Sequence, residues 1–276
     1  DNILIKLKKS GIDILRLGNR NRVHPEVIDF LPDYSDLNTY EALVDQFQVP
    51  SVVATTCLGI NDVLLSLRKQ DFDYVILDEA SQVSMPVALG PLRFSDKFIL
   101  VGDHYQLPPL VKNEAARTGG LEVSLFKMLG DSHPESVVEL THQYRMCGDI
   151  MALSNNLMYD GKLKCGTTDI QKQKLEVADV EKLEKFKTQD CRKEWLKDIM
   201  DSGRRVVFLD YDECETIAEK SDKDNIRNPG EAEIVRQCVE GMIHCGVATR
   251  DIGVMTLYRA QLRLLRKIFD TREYRD

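Results

Sequence analysis

Seven short runs along this chain are apolar at nearly every position and rich in β-branched residues. They cover residues 12–17, 52–55, 74–77, 98–101, 137–140, 206–209 and 252–256. Such near-continuous runs predict strands buried on both faces, as in a parallel sheet covered by helices, rather than the alternation of a sheet with one wet face. Helical patterns lie between them. Ile234, Val235, Cys238, Val239, Met242 and Ile243 recur at i, i+1, i+4, i+5, i+8 and i+9, which puts one apolar stripe on a helix running from about Glu231. Pro229-Gly230 reads as a turn just before it. Leu262, Leu265 and Phe269 mark a helix after the last run, and a short helix is expected near residues 124–129. Strand–helix alternation of this kind predicts an α/β fold.

Two stretches bear on organisation. Gly119, Gly120, Gly130 and Pro134 punctuate residues 119–136, which read as a junction between a first domain at 1–118 and a second at 137–276. Residues 171–197 are rich in Lys and Glu, with Leu183 and Phe186 among few apolar positions. They predict a charged insertion at about 167–204, helical in part and solvated, because mixed charge is more often a wet face than a nucleic-acid clamp.

Composition narrows the classes. The 276 residues carry 37 Lys and Arg against 45 Asp and Glu, a net charge of −8. This argues against a basic, sequence-reading DNA module but leaves room for a motor whose basic residues line one groove. No apolar run approaches the ~20 residues of a membrane span, and no signal or transit segment is visible. The chain opens at Asp1 without a Met, as an excised piece of a longer protein does. Seven Cys, at 57, 147, 165, 191, 214, 238 and 245, form no Cys-x-x-Cys and read as reduced thiols rather than a metal or cluster site.

The chemistry gathers at the ends of the apolar runs. Asp78-Glu79-Ala80-Ser81-Gln82 follows one, and Gly102-Asp103-His104-Tyr105-Gln106-Leu107-Pro108-Pro109 follows another. In open parallel sheets, ligands sit beyond the carboxyl ends of the strands. There Asp78 suits Mg²⁺, which takes a few carboxylates plus phosphate oxygens, and Glu79 suits orienting and deprotonating an attacking water. Gln106 offers a donor and an acceptor to a γ-phosphate or that water. An isolated Asp-Glu pair is more often a plain charged strand end. Two such ends, with Asp78 and Gly102 twenty-four residues apart, are hard to ascribe to coincidence.

Three further motifs follow the same logic. Gln143-Tyr144-Arg145-Met146 offers an arginine finger that acts when two domains close and a tyrosine able to stack on adenine. Thr256-Leu257-Tyr258-Arg259-Ala260-Gln261 suits a turn toward nucleotide or nucleic acid, with a helix N-terminus as the plain alternative. Val53-Ala54-Thr55-Thr56-Cys57-Leu58-Gly59 suits phosphate contacts along a single strand, with an ordinary glycine turn as an equal alternative. No Gly-x-x-x-x-Gly-Lys-Ser/Thr occurs in the 276 residues.

In this order, the motifs resemble superfamily 1 helicases of the Upf-like branch. More narrowly, the chain resembles the eukaryotic DNA replication ATP-dependent helicase/nucleases that trim Okazaki-fragment flaps and resect DNA ends. The narrower likeness rests on Leu15-Arg16-Leu17-Gly18, Val23-His24-Pro25, Gly90-Pro91-Leu92, Glu114-Ala115-Ala116-Arg117, Leu153-Ser154-Asn155-Asn156-Leu157 and Tyr159-Asp160-Gly161-Lys162-Leu163. It is good over residues 1–166, thins through 167–204 and returns over 205–269.

The resemblance implies two RecA-like P-loop NTPase domains, parallel sheets flanked by helices, both incomplete in this piece, with ATP in the cleft between them. It implies ATP-driven 5′→3′ movement on single-stranded DNA in replication and repair, and a nuclear location with mitochondria as a second compartment. It implies partners such as single-strand-binding protein and replication or repair factors, and no membrane. An iron–sulfur cluster is expected in a nuclease region outside the chain, and the phosphate-cradling loop upstream of Asp1.

Residue by residue, the resemblance assigns Mg²⁺ to Asp78 and water activation to Glu79. It assigns phosphate sensing to Gln106, framed by Gly102 and Asp103. Tyr144 and Arg145 fall to the adenine and the γ-phosphate, and Thr55 and Thr56 to the DNA strand; read from their own motifs, Gln143 joins the nucleotide residues and Tyr258 and Arg259 the nucleic-acid contacts. By itself the piece is expected to be inactive. The residues alone reach an ATP-driven nucleic-acid motor. An RNA helicase of the same branch and a non-catalytic module that kept the fold stay open beside the DNA helicase reading, since 2′-OH contacts cannot be read here.

Overall fold

The computed structural model describes residues 1–33, 35, 39–61, 65, 68, 70–177, 182, 194–211, 220–222 and 225–270. Leu183 and Phe186, like Cys191 and Cys214, lie outside the described residues. The chain divides into two compact units, Asp1–Glu139 and Leu140–Asp276.

In the first unit, β1 (Ile14–Arg16) pairs with β2 (Val52–Ala54), and β3 (Val75–Leu77) with β4 (Phe98–Leu100). Both pairs are parallel, with Leu15 opposite Val53 and Leu77 opposite Leu100. The helices are α1 (Asn2–Leu7), α2 (Tyr40–Gln48), α3 (Met85–Leu92), α4 (Glu114–Ala116) and α5 (Leu125–Ser132). Three of their starts are chemically marked. Thr39 accepts from the N–H of Ala42, Asn113 from Ala116 and Ser124 from Lys127, each satisfying a donor that the first helical turn leaves open.

Two apolar clusters support the strands of this unit. Phe47 of α2 packs with Leu15, Leu17, Ile60 and Leu65, and Leu77, Ala80, Ala88 and Leu125 form the floor under the end of β3. Phe47 is 1% exposed. Phe47→Ala should therefore cost about 3–5 kcal/mol, as large-to-small changes in packed cores do, and lower the urea midpoint of the first unit in a denaturation curve of the full chain.

In the second unit, β5 (His142–Gln143) pairs in parallel with β6 (Lys164–Cys165), and β7 (Lys220–Asp222) antiparallel with β8 (Asn225–Arg227). The helices are α6 (Gly148–Ser154), α7 (Thr168–Lys172), α8 (Glu194–Met200), α9 (Pro229–His244) and α10 (Arg259–Phe269). Pro229 and Gly230 are the first turn of α9 rather than a turn ahead of it. Asn228 caps the helix by accepting from Glu231 N–H at 3.1 Å, and proline suits the first helical position because its missing N–H has no partner there anyway.

The α/β class holds, but the sheets differ from expectation. The runs at 137–140, 206–209 and 252–256 form no strand, and Val138, Phe208 and Met255 are at least 85% exposed. An extended apolar run becomes a strand only when a neighbour takes up its backbone N–H and C=O groups. Among the described residues every sheet is a two-stranded pair. β3 and β4 are likewise not buried on both faces: Ile76 and Ile99, opposite each other, are 65% and 48% exposed.

The charged insertion is also not wholly solvated. Leu196 and Met200 of α8 are each 1% exposed and pack with Cys245, with Trp195, Ile199 and Met242 around them. Three apolar residues at helical spacing outweigh the local charge once a partner helix is present.

Candidate nucleotide site

The first unit brings two of the motifs together. Leu77 and Leu100 end β3 and β4 in register. The backbone beyond them is stitched by Val101 N–H to Leu77 O and Ala80 N–H to Val101 O, both at 2.8 Å. Asp78 and Glu79 leave the end of β3 exposed to solvent. Asp78 Oδ1 accepts from the N–H of Glu79 at 3.1 Å. Glu79 sits in the left-handed region, at φ 53° and ψ 36°, which costs a side-chain-bearing residue of the order of 1–3 kcal/mol and clusters at functional sites. Its Oε2 accepts from Gln82 Nε2 at 2.8 Å, so the carboxylate is held while facing solvent.

The loop after β4 closes on this turn. Asp103 N–H reaches Ser81 Oγ at 3.3 Å, and Ser81 is 2% exposed. A Cβ at Gly102 would lie 2.9 Å from Ser81 N and 3.3 Å from Ala80 N. Only glycine lets the two loops approach this closely. Asp103 then organises its own loop: Oδ1 accepts from Tyr105 N–H at 3.0 Å and Oδ2 from Gln106 Nε2 at 2.8 Å. Gln106 is thus held by Asp103, whose loop is tied through Ser81 to the turn after β3.

The Thr55–Gly59 turn follows β2 in the same unit. Thr56 Oγ1 accepts from Gly59 N–H at 3.1 Å, while Thr55 Oγ1 is buried without a hydrogen-bond partner among the described residues. Cys57 packs against the cluster under β3, and burial pushes its thiol pKa up. The turn is therefore tied to the floor of the Asp78-Glu79 loop.

In the second unit the Gln143-Tyr144-Arg145-Met146 turn is built around its own glutamine. Gln143 Oε1 accepts from Arg145 N–H at 2.9 Å and Met146 N–H at 2.7 Å, and Nε2 donates to Met146 O at 2.7 Å. Gln143 is consumed in shaping the turn rather than offered to a ligand. Tyr144 and Arg145 project outward and are exposed. The strand leading to this turn is His142–Gln143, not residues 137–140.

Tyr258 is the N-cap of α10 and Arg259 its first residue, both exposed. The motif thus forms a helix start whose Tyr258 and Arg259 face solvent. The buried polar residue there is Gln261, which accepts from Asn228 N–H at 2.9 Å and donates to Asn228 O at 3.0 Å, pinning α10 to the start of α9.

Sequence reasoning missed Ser81 and Gln82 as partners of the site. Both are polar residues placed shortly after the two acids, in the same five-residue motif, and that was the available signal.

A family described as AAA domain matches residues 121–276, and a second family of the same description matches 38–114. The chain belongs to the AAA-domain family. It is 60% identical over 275 residues to the DNA replication ATP-dependent helicase/nuclease DNA2 of Saccharomyces cerevisiae, covering 99% of this chain and 18% of that protein. It is 42% identical over 271 residues to the helicase/nuclease JHS1 of Arabidopsis thaliana, covering 98% and 20%. With the Homo sapiens protein it shares 39% over 272 residues, covering 96% and 25%. Homology to DNA replication helicase/nucleases thus runs along the whole chain, which spans about a fifth to a quarter of each of these three relatives.

Proposed function

We propose that the chain is part of the motor of an ATP-dependent DNA helicase/nuclease, moving 5′→3′ on single-stranded DNA flaps and ends in replication and repair. The observation that carries this reading is the pair of stitched parallel strand ends, which join the Asp78-Glu79 turn to the loop on which Asp103 holds Gln106. The choice of DNA over RNA is supported by the homologues, each named as a DNA replication helicase/nuclease. Two RecA-like domains, at 1–118 and 137–276 with a junction at 119–136, belong to the same proposal. So do a nuclear and mitochondrial location, partners among replication and repair factors, and an iron–sulfur cluster elsewhere in the parent protein.

Each residue then has a task. Asp78, an exposed carboxylate at a strand end, fits the hard-oxygen donor set of Mg²⁺, which when bound neutralises phosphate charge. Glu79 takes a proton from the attacking water. Gln106 orients that water or the γ-phosphate through its amide. Tyr144 stacks on the base, and Arg145 stabilises charge on the transferring phosphoryl group. Thr55, Thr56, Tyr258 and Arg259 hold the nucleic-acid strand.

The test is ATPase rate of the full parent chain with single-stranded DNA and then single-stranded RNA, each beside Glu79→Gln. Stimulation by DNA that the variant loses is expected. Stimulation mainly by RNA would move the protein to the RNA helicases of its branch, and no stimulation by either would favour a non-catalytic module.

A further inference from the structure

Gly166 directly follows β6, and its N–H donates to Gln143 O at 2.8 Å. Its φ is not in the left-handed region, unlike those of Gly11, Gly18, Gly120, Gly161 and Gly246, so backbone conformation does not call for glycine here. Space does. A Cβ at residue 166 would meet Tyr144 Cδ1 at 2.6 Å, with Cε1 and Cζ nearer still. The phenol ring fills the room a side chain would take. Tyr144 is itself 64% exposed and has solvent to swing into. A side chain at 166 would therefore displace the ring at small cost to the fold.

The surrounding geometry supports one purpose for this contact. Gln143 fixes the backbone on which Tyr144 stands, through Arg145 N–H and Met146 N–H. The same Gln143 donates to Cys165 Sγ at 3.2 Å, tying the turn to the strand that delivers Gly166. The base of the tyrosine and the surface under its ring are thus set by one short parallel ladder. An exposed aromatic side chain ordinarily samples several rotamers. Here one of them is seated.

We propose that Gly166 is a positioning residue for Tyr144, its missing side chain seating the ring in the orientation that receives the nucleotide base. This rests on the reading of Tyr144 as the base-stacking residue. The experiment is steady-state ATPase of the full parent chain with saturating single-stranded DNA, comparing Gly166→Val, Tyr144→Ala and the double variant. Each single change should raise KM for ATP about five- to tenfold, the scale of one aromatic stacking contact, with kcat changed less than about twofold. The double variant should match Tyr144→Ala alone.

Gly166→Ala, a smaller step, should shift KM in the same direction with the thermal midpoint unmoved. An unchanged KM in Gly166→Val beside a raised KM in Tyr144→Ala overturns the positioning role. So does a double variant whose effect is the product of the two singles, or a KM shift that tracks a fall in thermal midpoint. A silent Tyr144→Ala overturns the stacking reading and this inference with it, and that signature differs from the others.

Discussion

Glu79→Gln in the full parent chain should slow ATP hydrolysis by about 10²–10⁴-fold, the usual cost of removing a general base, while ATP binding stays. The substitution is close to isosteric. A glutamine oxygen can still accept from Gln82 Nε2, which lies 2.8 Å from Glu79 Oε2, so the turn after β3 keeps its shape. What goes is the capacity to take a proton. The left-handed backbone at Glu79 strengthens the expectation, because a strained residue with an exposed side chain contributes nothing to the core that would explain it. Steady-state turnover and equilibrium nucleotide binding, measured on one preparation, check both halves. Unchanged turnover would make Glu79 a structural end to β3.

Arg145→Ala should lower turnover about 10³-fold or more, the range seen when an arginine finger is lost, with a much smaller change in ADP affinity. Among the described residues no hydrogen bond or salt bridge is found for the Arg145 guanidinium; its backbone N–H, not its side chain, is what Gln143 holds. Truncation therefore removes charge without dismantling the turn. An interaction made mainly in the transition state lowers kcat and leaves ground-state binding nearly intact. Equal losses in turnover and in ADP binding would instead make Arg145 a ground-state contact.

The alternation of apolar runs and helical stripes was enough to read an α/β chain from sequence, and four runs became β1 to β4. The candidate residues stand out in the sequence because carboxylates, an amide and an arginine follow shortly after apolar runs, where ligands sit in open parallel sheets. The start of α9 was misplaced by two residues because Pro229 signals both a turn and a first helical position, and only the Asn228 cap separates the two.

Tertiary structure decided the rest. Whether an apolar run is a strand depends on a neighbour to pair with, which is why 137–140, 206–209 and 252–256 form no strand although each reads locally as one. Burial of α8 depends on Cys245 and Met242, far along the chain. The need for glycine at 102 and 166 depends on a backbone and a ring brought close by strand pairing. Residue type and spacing are local properties and can be read in order; pairing, burial and free space are properties of pairs distant in sequence, and only the folded chain brings those pairs together.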